Sequence, residues 1–368
     1  MVTLRELLEI MVKRNASDLH ITVGAPPILR IDGKLTKTEF DILIPEVTKK
    51  LAYSILNERQ RQKFEENSEL DLSFGVENLS RFRCNVFMQR GNVAMAIRQI
   101  PHSIATFEEL GIPDDVQKLA DLPRGLILVT GPTGSVKSTT LAAMIDKVNK
   151  ERHLHIITVE DPIEYLHRHK NSVVNQREVH SDTKSFAASL KYALRQDPDV
   201  VLIGEMRDLE TMEAALTISE TGHLAFATLH TNSAAEAMNR IVDVFPTNQQ
   251  EQVRIQLSFV LQGILCQQLI PKIGGGRVLA MEILIATPAV RAVIRDDKIH
   301  QIYSLIQAGA KYGMKTMNQS LFDIYSKKKI SYSDAINRSS NIQEFEEMMS
   351  RSGQQSGMKK SLAGQTER

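Results

Sequence analysis

Residues 125–148 read GLILVTGPTGSVKSTTLAAMIDKV and combine three signals in one stretch. The opening GLILVT is a short apolar run, which predicts a strand buried on both faces. Gly131 and Gly134 follow within a few residues and lead to Lys137, which predicts a tight turn carrying one positive charge. Apolar residues then recur at helical spacing. A strand, a glycine-rich turn with a lysine and a helix, in that order, are typical of a loop that holds phosphate groups.

The same turn indicates how ATP and Mg²⁺ would be held. Successive backbone N–H groups form a cradle for an anion, a lysine reaches the terminal phosphates, and a hydroxyl ligates Mg²⁺. Lys137 and Ser138 are the residues for the last two roles. We therefore predict a nucleotide-binding loop made of Gly131, Pro132, Thr133, Gly134, Ser135, Val136, Lys137, Ser138 and Thr139.

One position of this loop departs from the phosphate-loop pattern. The pattern G-x-x-x-x-G-K-[ST] has a glycine before the lysine, whereas this chain has Val136. The glycine lets the backbone approach the β-phosphate, where a Cβ would crowd it, and valine adds a stiff, branched side chain. We expect a cost of about 1–3 kcal/mol in backbone strain. The chain is therefore expected to bind ATP weakly or in a pose that does not turn over.

Two further segments place acidic residues directly after an apolar run. DVVLIGEMRD places Glu205 where a carboxylate can hold Mg²⁺ through water. HIITVEDPIEYLH places Glu160, Asp161 and Glu164 past another such run. One of these three is expected to orient the attacking water, because phosphoryl transfer depends on positioning and electrostatics. A solvated acidic loop is the alternative interpretation of the three carboxylates.

The segment TGHLAFATLHTNSA carries two histidines, His223 and His230, at the two ends of one apolar strand. Their separation is odd, so a regular strand turns the two side chains to opposite faces. Paired metal ligation is therefore not expected. One histidine is a candidate to contact the γ-phosphate, and the other is then expected to pack against the sheet.

The chain divides into regions of different hydrophobic pattern. The first region combines an amphipathic helix with alternating strands, and the third combines buried apolar runs with helices, which predicts a parallel α/β sheet. A proline-bounded linker lies between them, and helical patterns and a polar, aperiodic tail follow. We predict an N-terminal α+β domain over 1–100, a linker over 101–115, an ATPase core over 116–285, a helical region over 286–350 and a disordered tail over 351–368.

Composition excludes several classes of protein. Lys and Arg (45) balance Asp and Glu (44), so there is no global basic field for nucleic acid or anionic lipid. No apolar stretch approaches the roughly 20 residues that cross a bilayer. The two cysteines, Cys84 and Cys266, offer neither a disulfide framework nor a CxxC zinc site. The expectation is a cytoplasmic protein in a reducing compartment.

Several motifs in order resemble the secretion-ATPase superfamily of type II/IV secretion (GspE-type) and type IV pilus machines. The phosphate loop is followed by ITVEDPIEY, then VVLIGEMRD, then the histidine segment. The similarity runs from SDLHITVGAPPILRIDGKL to GMKTMNQSL and is strongest to the PilT-like retraction ATPases. VRAVIRDDKIHQIYSLIQ resembles the retraction signature, in which Ala289, Arg291, Ile294 and Arg295 are kept. The single Cys266 argues against the relatives that carry a four-cysteine zinc site there.

The resemblance implies a fold and a set of roles. The implied fold class is α/β: a small PAS-like α+β N-terminal domain followed by a RecA-like P-loop ATPase domain with a helical C-terminal extension. Glu164 matches the catalytic glutamate of the acidic box, which is the segment ITVEDPIEY. Glu205 matches the glutamate of the second strand, which holds the metal together with Ser138. His230 matches the phosphate-sensing histidine. Arg83 and Arg98 match N-terminal-domain arginines that reach the nucleotide, as arginine fingers do.

The same resemblance implies an assembly and partners. We expect a homohexameric ATP-hydrolysing motor that powers type IV pilus retraction and twitching motility. It would dock at the cytoplasmic face of the inner membrane only through partners, namely the pilus platform protein and an accessory pilus ATPase. Arg291 and Arg295 are expected to face such a partner.

Two other functions are considered. The first is a catalytically silent ring subunit that regulates an active pilus motor, which Val136 favours. The second is a motor that translocates nucleic acid, which the balanced charge and the retraction-type C-terminal signature disfavour. Steeply salt-dependent DNA binding would support this last function.

Reverting Val136 to glycine is expected to raise the affinity for ATP, because the strain of a β-branched residue is removed from the loop. A cost of about 1–3 kcal/mol corresponds to as much as about a hundredfold in the dissociation constant. Titration of ATP against the parent chain and Val136→Gly measures the difference. Equal affinity and turnover in both chains would show that valine is tolerated at this position.

Overall fold

A computed structural model describes residues 2–31, 33–100 and 103–351. The predicted tail lies outside these residues, apart from Arg351. The chain forms two compact units, one within residues 1–103 that also includes Glu164–Leu166, and one made of residues 104–163 and 167–368. Among the described residues, no helix has both the length and the apolar character that spanning a membrane requires.

The first unit is a six-stranded antiparallel sheet with three helices. The strands are β1 (Asp18–Ile21), β2 (Ile28–Ile31), β3 (Lys34–Lys37), β4 (Glu69–Val76), β5 (Ser80–Gln89) and β6 (Asn92–Ile100), in the order β3-β2-β1-β6-β5-β4. The helices are α1 (Leu4–Lys13), α2 (Pro45–Tyr53) and α3 (Glu58–Asn67). Leu7, Leu8 and Met11 of α1 are buried in the same core as Phe82 of β5. Helical spacing in the sequence correctly predicts this apolar face of α1.

The second unit is built on a seven-stranded sheet. Its strands are β7 (Gly125–Thr130), β8 (His155–Glu160), β9 (Val173–Glu178), β10 (Val200–Ile203), β11 (Leu224–Leu229), β12 (Leu261–Pro271) and β13 (Arg277–Ile285). Their order is β13-β12-β7-β11-β10-β8-β9, and every neighbouring pair is parallel except the hairpin β12–β13. Strands β7, β10 and β11 are buried along their whole length, which is why they are unbroken apolar runs in the sequence.

Helices cover this sheet and continue beyond it. They are α4 (Phe107–Leu110), α5 (Asp114–Gln117), α6 (Lys137–Glu151), α7 (Phe186–Ala193), α8 (Leu209–Glu220), α9 (Ala234–Asp243), α10 (Thr247–Val260), α11 (Pro288–Arg295), α12 (Ile302–Ala308), α13 (Met317–Ser326), α14 (Tyr332–Arg338) and α15 (342–351). Helix α4 falls within residues 101–115, which the sequence pattern predicts as a linker, and α5 begins at the end of that range. Phe345 and Leu321 pack with Ile270 of β12, so the C-terminal helices share a core with the hairpin.

Arg291, which the sequence predicts to face a partner, is bonded within its own chain. Its Nη1 donates to the carbonyl oxygens of Ser258 (2.6 Å) and Phe259 (2.7 Å), and Nη2 donates to Oε1 of Gln262 (3.1 Å). Ser258 and Phe259 are in the last turn of α10, whose final carbonyls have no partner inside the helix. Arg291 therefore ties α11 to the end of α10. Arg295, one turn further along α11, is half-exposed beside Asp296.

Replacing Arg291 by alanine is expected to lower the free energy of unfolding by about 1–3 kcal/mol, because backbone acceptors lose a charged donor. Arg295→Ala is the matched control, since it removes the same group from the same helix, and its effect is expected within about 0.5 kcal/mol. Denaturant unfolding of the two full-length variants measures both values. Equal losses would show that the contacts of Arg291 with α10 do not contribute to stability.

Candidate active site

Four neighbouring strands of the second unit end at one edge of the sheet. They are β7, β11, β10 and β8, which run parallel and adjacent in that order. The carboxyl ends of parallel strands share one edge, and ligands of open α/β sheets bind there. Each strand is followed by residues that the sequence pattern singles out: the phosphate loop after β7, His230 after β11, Glu205 after β10 and the acidic box after β8. The topology thus collects segments that are far apart in the chain.

The loop after β7 begins at a position that only glycine can occupy. Gly131 has φ of +138°, and a Cβ placed on it would lie 2.3 Å from the carbonyl oxygen of Gln267 and 2.7 Å from Oγ of Ser135. Strand β12 passes directly beside the loop at this point. Gln267 also donates from Nε2 to Oγ1 of Thr140 in α6 (2.7 Å), so it contacts both ends of the loop. Sequence reasoning missed Gln267, because nothing in its local pattern indicates contact with a loop more than a hundred residues earlier.

Lys137 extends into the loop from the first position of α6. Its Nζ donates to the carbonyl oxygens of Gly131 (2.7 Å) and Pro132 (3.2 Å), and the residue is buried. Ser138 follows it in the first turn of α6 and is half-buried. The charge, the hydroxyl and the helix N-terminus are thus next to one another, as a phosphate-binding loop requires.

Val136 adopts the backbone conformation that favours glycine. Its φ and ψ are +62° and 30°, in the left-handed region, and it is the residue directly before α6. A β-branched residue in this region is strained by about 1–3 kcal/mol. This agrees with the phosphate-loop pattern, which has glycine here. The strain at this position is therefore carried by Val136.

Several buried hydroxyls around the strand ends fit a polar ligand. Ser135 in the loop and Thr231 just after His230 are nearly inaccessible, and their side-chain oxygens have no hydrogen-bond partner among the described residues. A buried polar atom without a partner is costly, and such atoms are usually satisfied by a ligand, an ion or water. The loop and the neighbouring strand end therefore present a cradle and spare polar atoms where a nucleotide would bind.

Glu205 and His230 meet across the ends of β10 and β11. Oε1 of Glu205 lies 3.2 Å from Nε2 of His230, and its Oε2 lies 2.6 Å from Nη2 of Arg207. Burial favours the neutral form of Glu205, but Arg207 and His230 outweigh it, so the pKa of this carboxyl lies below its ordinary value. Glu205 is therefore an anion at neutral pH, as a group that holds a metal ion through water must be.

Arg207 is a site residue that sequence reasoning missed. Glu205 first, and then Asp161, raise the pKa of its guanidinium, so this cation interacts with acidic residues that follow both β10 and β8. Its position two residues after Glu205 in GEMRD is the only sequence signal, and a charged pair at that spacing is too common to interpret.

The acidic box does not act as a single group. Glu160, at the end of β8, accepts from Oγ1 of Thr158 (2.6 Å) and Nε2 of Gln176 (3.1 Å), so it is held by the sheet. Asp161 contributes to the field at Arg207, whereas Glu164 belongs to the short segment that groups with the first unit. The three carboxylates therefore have three different environments.

The two histidines lie at opposite edges of the second unit's sheet. His223 precedes β11, and its Nδ1 lies 3.1 Å from both the carbonyl oxygen of Ile218 and Oγ1 of Thr221. His230 follows β11 at the edge that carries the phosphate loop. The structure thus brings His230, and not His223, to the candidate site.

The two predicted arginine fingers lie in the first unit. Arg83 of β5 and Arg98 of β6 are opposite each other in the antiparallel ladder, and both are exposed. Nε of Arg98 donates to Oδ1 of the buried Asp18 (2.8 Å). This bond holds the guanidinium through Nε, which is one of its three nitrogens. Arg83 and Arg98 therefore form an exposed, positively charged pair.

A loop of this geometry on a parallel sheet, with an ionised glutamate and a histidine at the next strand ends, defines a phosphate-loop ATPase. The family model for type II/IV secretion system proteins matches residues 2–365 of the chain. The chain is 51% identical over 330 residues to the type IV pilus retraction ATPase PilT of Pseudomonas aeruginosa, covering 90% of this chain and 96% of that protein. It is 49% identical over 296 residues to a twitching motility protein of Neisseria gonorrhoeae, covering 80% of this chain and 79% of that protein.

Solved structures agree with these sequence similarities. The crystal structure of the pilus retraction motor PilT with bound ADP matches with a TM-score of 0.89 and 55% identity, over 94% of this chain and 100% of that chain. The ATPase DotB of Legionella pneumophila matches with a TM-score of 0.80 and 26% identity, over 91% of this chain and 95% of that chain. This chain belongs to the type II/IV secretion system protein family and is an ATPase. The predicted fold class, a PAS-like N-terminal domain followed by a RecA-like domain with a helical extension, is confirmed.

Replacing Gly131 by alanine is expected to abolish nucleotide binding, because the new Cβ would overlap the carbonyl oxygen of Gln267 and force the loop away from β12. Gly134→Ala is the matched control in the same loop. Gly134 also has positive φ (+82°), but a Cβ added there would meet no heavy atom within 4 Å, so only about 1–2 kcal/mol of backbone strain is expected. Binding of a fluorescent ADP analogue to both variants checks the contrast. Similar affinities would contradict the close approach of β12 to the loop.

Proposed function

We propose that this chain is the ATP-hydrolysing motor of type IV pilus retraction and that it works as a homohexameric ring. The observation that carries the proposal is the contact between Glu205 and His230 at the sheet edge where the phosphate loop begins. The similarity to retraction ATPases extends over nearly the whole chain, including the helices after the core.

The loop residues bind the nucleotide in this proposal. Backbone N–H groups from Gly131 to Thr139 cradle the phosphates, and Lys137 exchanges its bonds with loop carbonyls for bonds with the terminal phosphates. Ser138 and Glu205 are the residues that would hold Mg²⁺, which when bound neutralises charge between the β- and γ-phosphates. The low pKa of Glu205 keeps it in the form that this role needs.

The remaining residues act on the reaction itself. Glu164 orients the water that attacks the γ-phosphate. His230, held by its contact with Glu205, senses whether that phosphate is present. Arg83 and Arg98 neutralise charge that develops in the transition state. Arg98 is held through Nε, so the N–H donors of its other two nitrogens are available for this role.

Retraction requires the ring to transmit force to the pilus. We propose that the motor docks at the cytoplasmic face of the inner membrane through the pilus platform protein, together with an accessory pilus ATPase. Hydrolysis would move the N-terminal domains against the RecA-like domains. The half-exposed Arg295 remains a candidate for a partner contact, whereas Arg291 is bonded to α10.

A second function, a catalytically silent ring subunit that regulates an active pilus motor, is favoured by one observation. Val136 has a left-handed backbone conformation, which is strained for valine, at the loop position where the phosphate-loop pattern has glycine. A chain that binds nucleotide without turnover would still assemble and dock.

Steady-state ATPase measurements on the purified ring separate the two functions. The motor function predicts measurable turnover by the parent chain and a rise of roughly tenfold in Val136→Gly, because removing about 1–3 kcal/mol of strain improves the loop. Lys137→Ala is the control and is expected to abolish turnover in both backgrounds. In a strain that lacks its own retraction ATPase, the same variants are scored for twitching motility.

The outcomes differ for each function. No turnover by the parent chain, together with full turnover by Val136→Gly, would identify a silent subunit. No turnover by either chain would contradict the motor proposal. Turnover without rescue of twitching would leave an ATPase whose work is not pilus retraction.

A further inference from the structure

Glu282 is a buried carboxylate on the edge strand of the second unit's sheet. It lies on β13, and only 3% of its surface is exposed. Burying a carboxylate is unfavourable unless hydrogen bonds replace water. Burial raises the pKa of Glu282, and hydrogen bonds from three groups oppose that shift: the N–H of Ala234, the N–H of Met317 and the thiol of Cys266. None of the roles assigned above uses this residue.

Two of these donors are the first residues of helices. Ala234 begins α9 and donates its N–H to Oε1 of Glu282 at 2.8 Å, and Met317 begins α13. The N–H groups in the first turn of a helix have no partner inside the helix, and the helix dipole favours a negative charge there. Glu282 therefore fixes the starting point of α9 on β13, and the start of α13 lies beside the same carboxylate.

The third donor links Glu282 to the phosphate loop. Thr130, Cys266 and Glu282 are register partners across β7, β12 and β13, so their side chains lie in one row on the same face of the sheet. Cys266 is therefore the neighbour of both Thr130 and Glu282, and its thiol helps to lower the pKa of Glu282 against the effect of burial. Thr130 is the last residue of β7, and Gly131 begins the loop. A row of three neighbouring residues thus runs from the start of the loop to Glu282.

The start of α9 is close in sequence to His230. Only Thr231, Asn232 and Ser233 separate His230 from Ala234. This short connection is held by local bonds: Ser233 caps α9 by accepting from the N–H of Glu236, and Asn232 donates its N–H to Glu236 at 2.8 Å. Fixing Ala234 on β13 therefore limits how far the His230 segment can move.

We infer that Glu282 is a positioning residue. It is bonded to Ala234, just after the His230 segment, and it neighbours Cys266, which lies beside the start of the phosphate loop. Glu282 thereby sets the distance between the His230 segment and the phosphate loop. The inference rests on the proposed role of His230. The phosphate loop cradles the nucleotide without Glu282. Loss of this carboxylate is therefore expected to lower turnover more than it lowers nucleotide affinity.

Glu282→Gln is the test variant, because it keeps the size of the side chain and replaces one acceptor by a donor. Kinetics are measured on the full-length Val136→Gly chain. We expect kcat to fall roughly tenfold, since small displacements of reacting groups are costly, and KM for ATP to stay within about twofold. When Glu282→Gln is added to His230→Ala, no further fall is expected, because both changes remove the same positioned group.

A buried polar residue on α13 provides the matched control. Asn318 is fully buried and donates from Nδ2 to the carbonyl oxygen of Asn341 at 2.8 Å, but it makes no contact with α9 among the described bonds. Asn318→Ala is expected to lower stability while leaving kcat unchanged. If Glu282→Gln does not fold, as judged by circular dichroism, Glu282→Asp replaces it, since it keeps the charge but is too short to reach all three donors.

Amide hydrogen exchange in the parent full-length chain gives a readout that is independent of turnover. Faster exchange over residues 230–236 in Glu282→Gln, and not in Asn318→Ala, is expected. Unchanged exchange there, or a loss of kcat that adds fully to that of His230→Ala, would overturn the inference. If His230→Ala leaves turnover unchanged, the proposed role of His230 is wrong, and the exchange result alone decides whether Glu282 fixes this segment.

Discussion

The parallel alignment of β7, β11, β10 and β8 is the constraint on which the site of the second unit depends. Parallel strands bring their carboxyl ends to a common edge, whatever their order along the chain. A loop for phosphates, an ionised glutamate and a histidine thereby become neighbours, although about a hundred residues separate the loop from His230. The apolar burial of these strands stabilises the sheet, and their end residues supply the chemistry.

Within this frame, the backbone of the loop is held from several sides. Strand β12 leaves no room for a side chain at Gly131, and Gln267 joins that strand to α6 through Thr140. These contacts explain how Val136 can be kept at a positive φ that valine disfavours, because the surrounding contacts outweigh the strain of one residue. The consequence is a loop of the expected shape with a side chain at a position where the phosphate-loop pattern has none.

The sequence predicts those elements whose pattern arises from burial. The apolar runs of β7, β8, β10 and β11 and the helical spacing of α1 are correct, as are the alternating strands of the first region. Strands β9, β12 and β13 were not predicted. Polar residues interrupt the apolar pattern of β9 and β12, and the place of β12 in the sheet depends on pairing with β7, more than a hundred residues earlier. The bonds of Arg291 to α10 were missed for a similar reason, since its hydrogen-bond acceptors lie about thirty residues earlier in the chain.

What the sequence by itself determined is local: the strand–loop–helix unit with Lys137 and Ser138, the departure at Val136, and the positions of Glu205 and His230 just after buried strands. These follow from residue type and short-range spacing, which the backbone geometry of strands, turns and helices translates directly. Only the tertiary structure decided that Arg207 and His230 share the carboxylate of Glu205, and that Glu282 joins α9 to the row beginning at Thr130. Those contacts depend on the order and register of strands in the sheet, and no short stretch of residues carries that information.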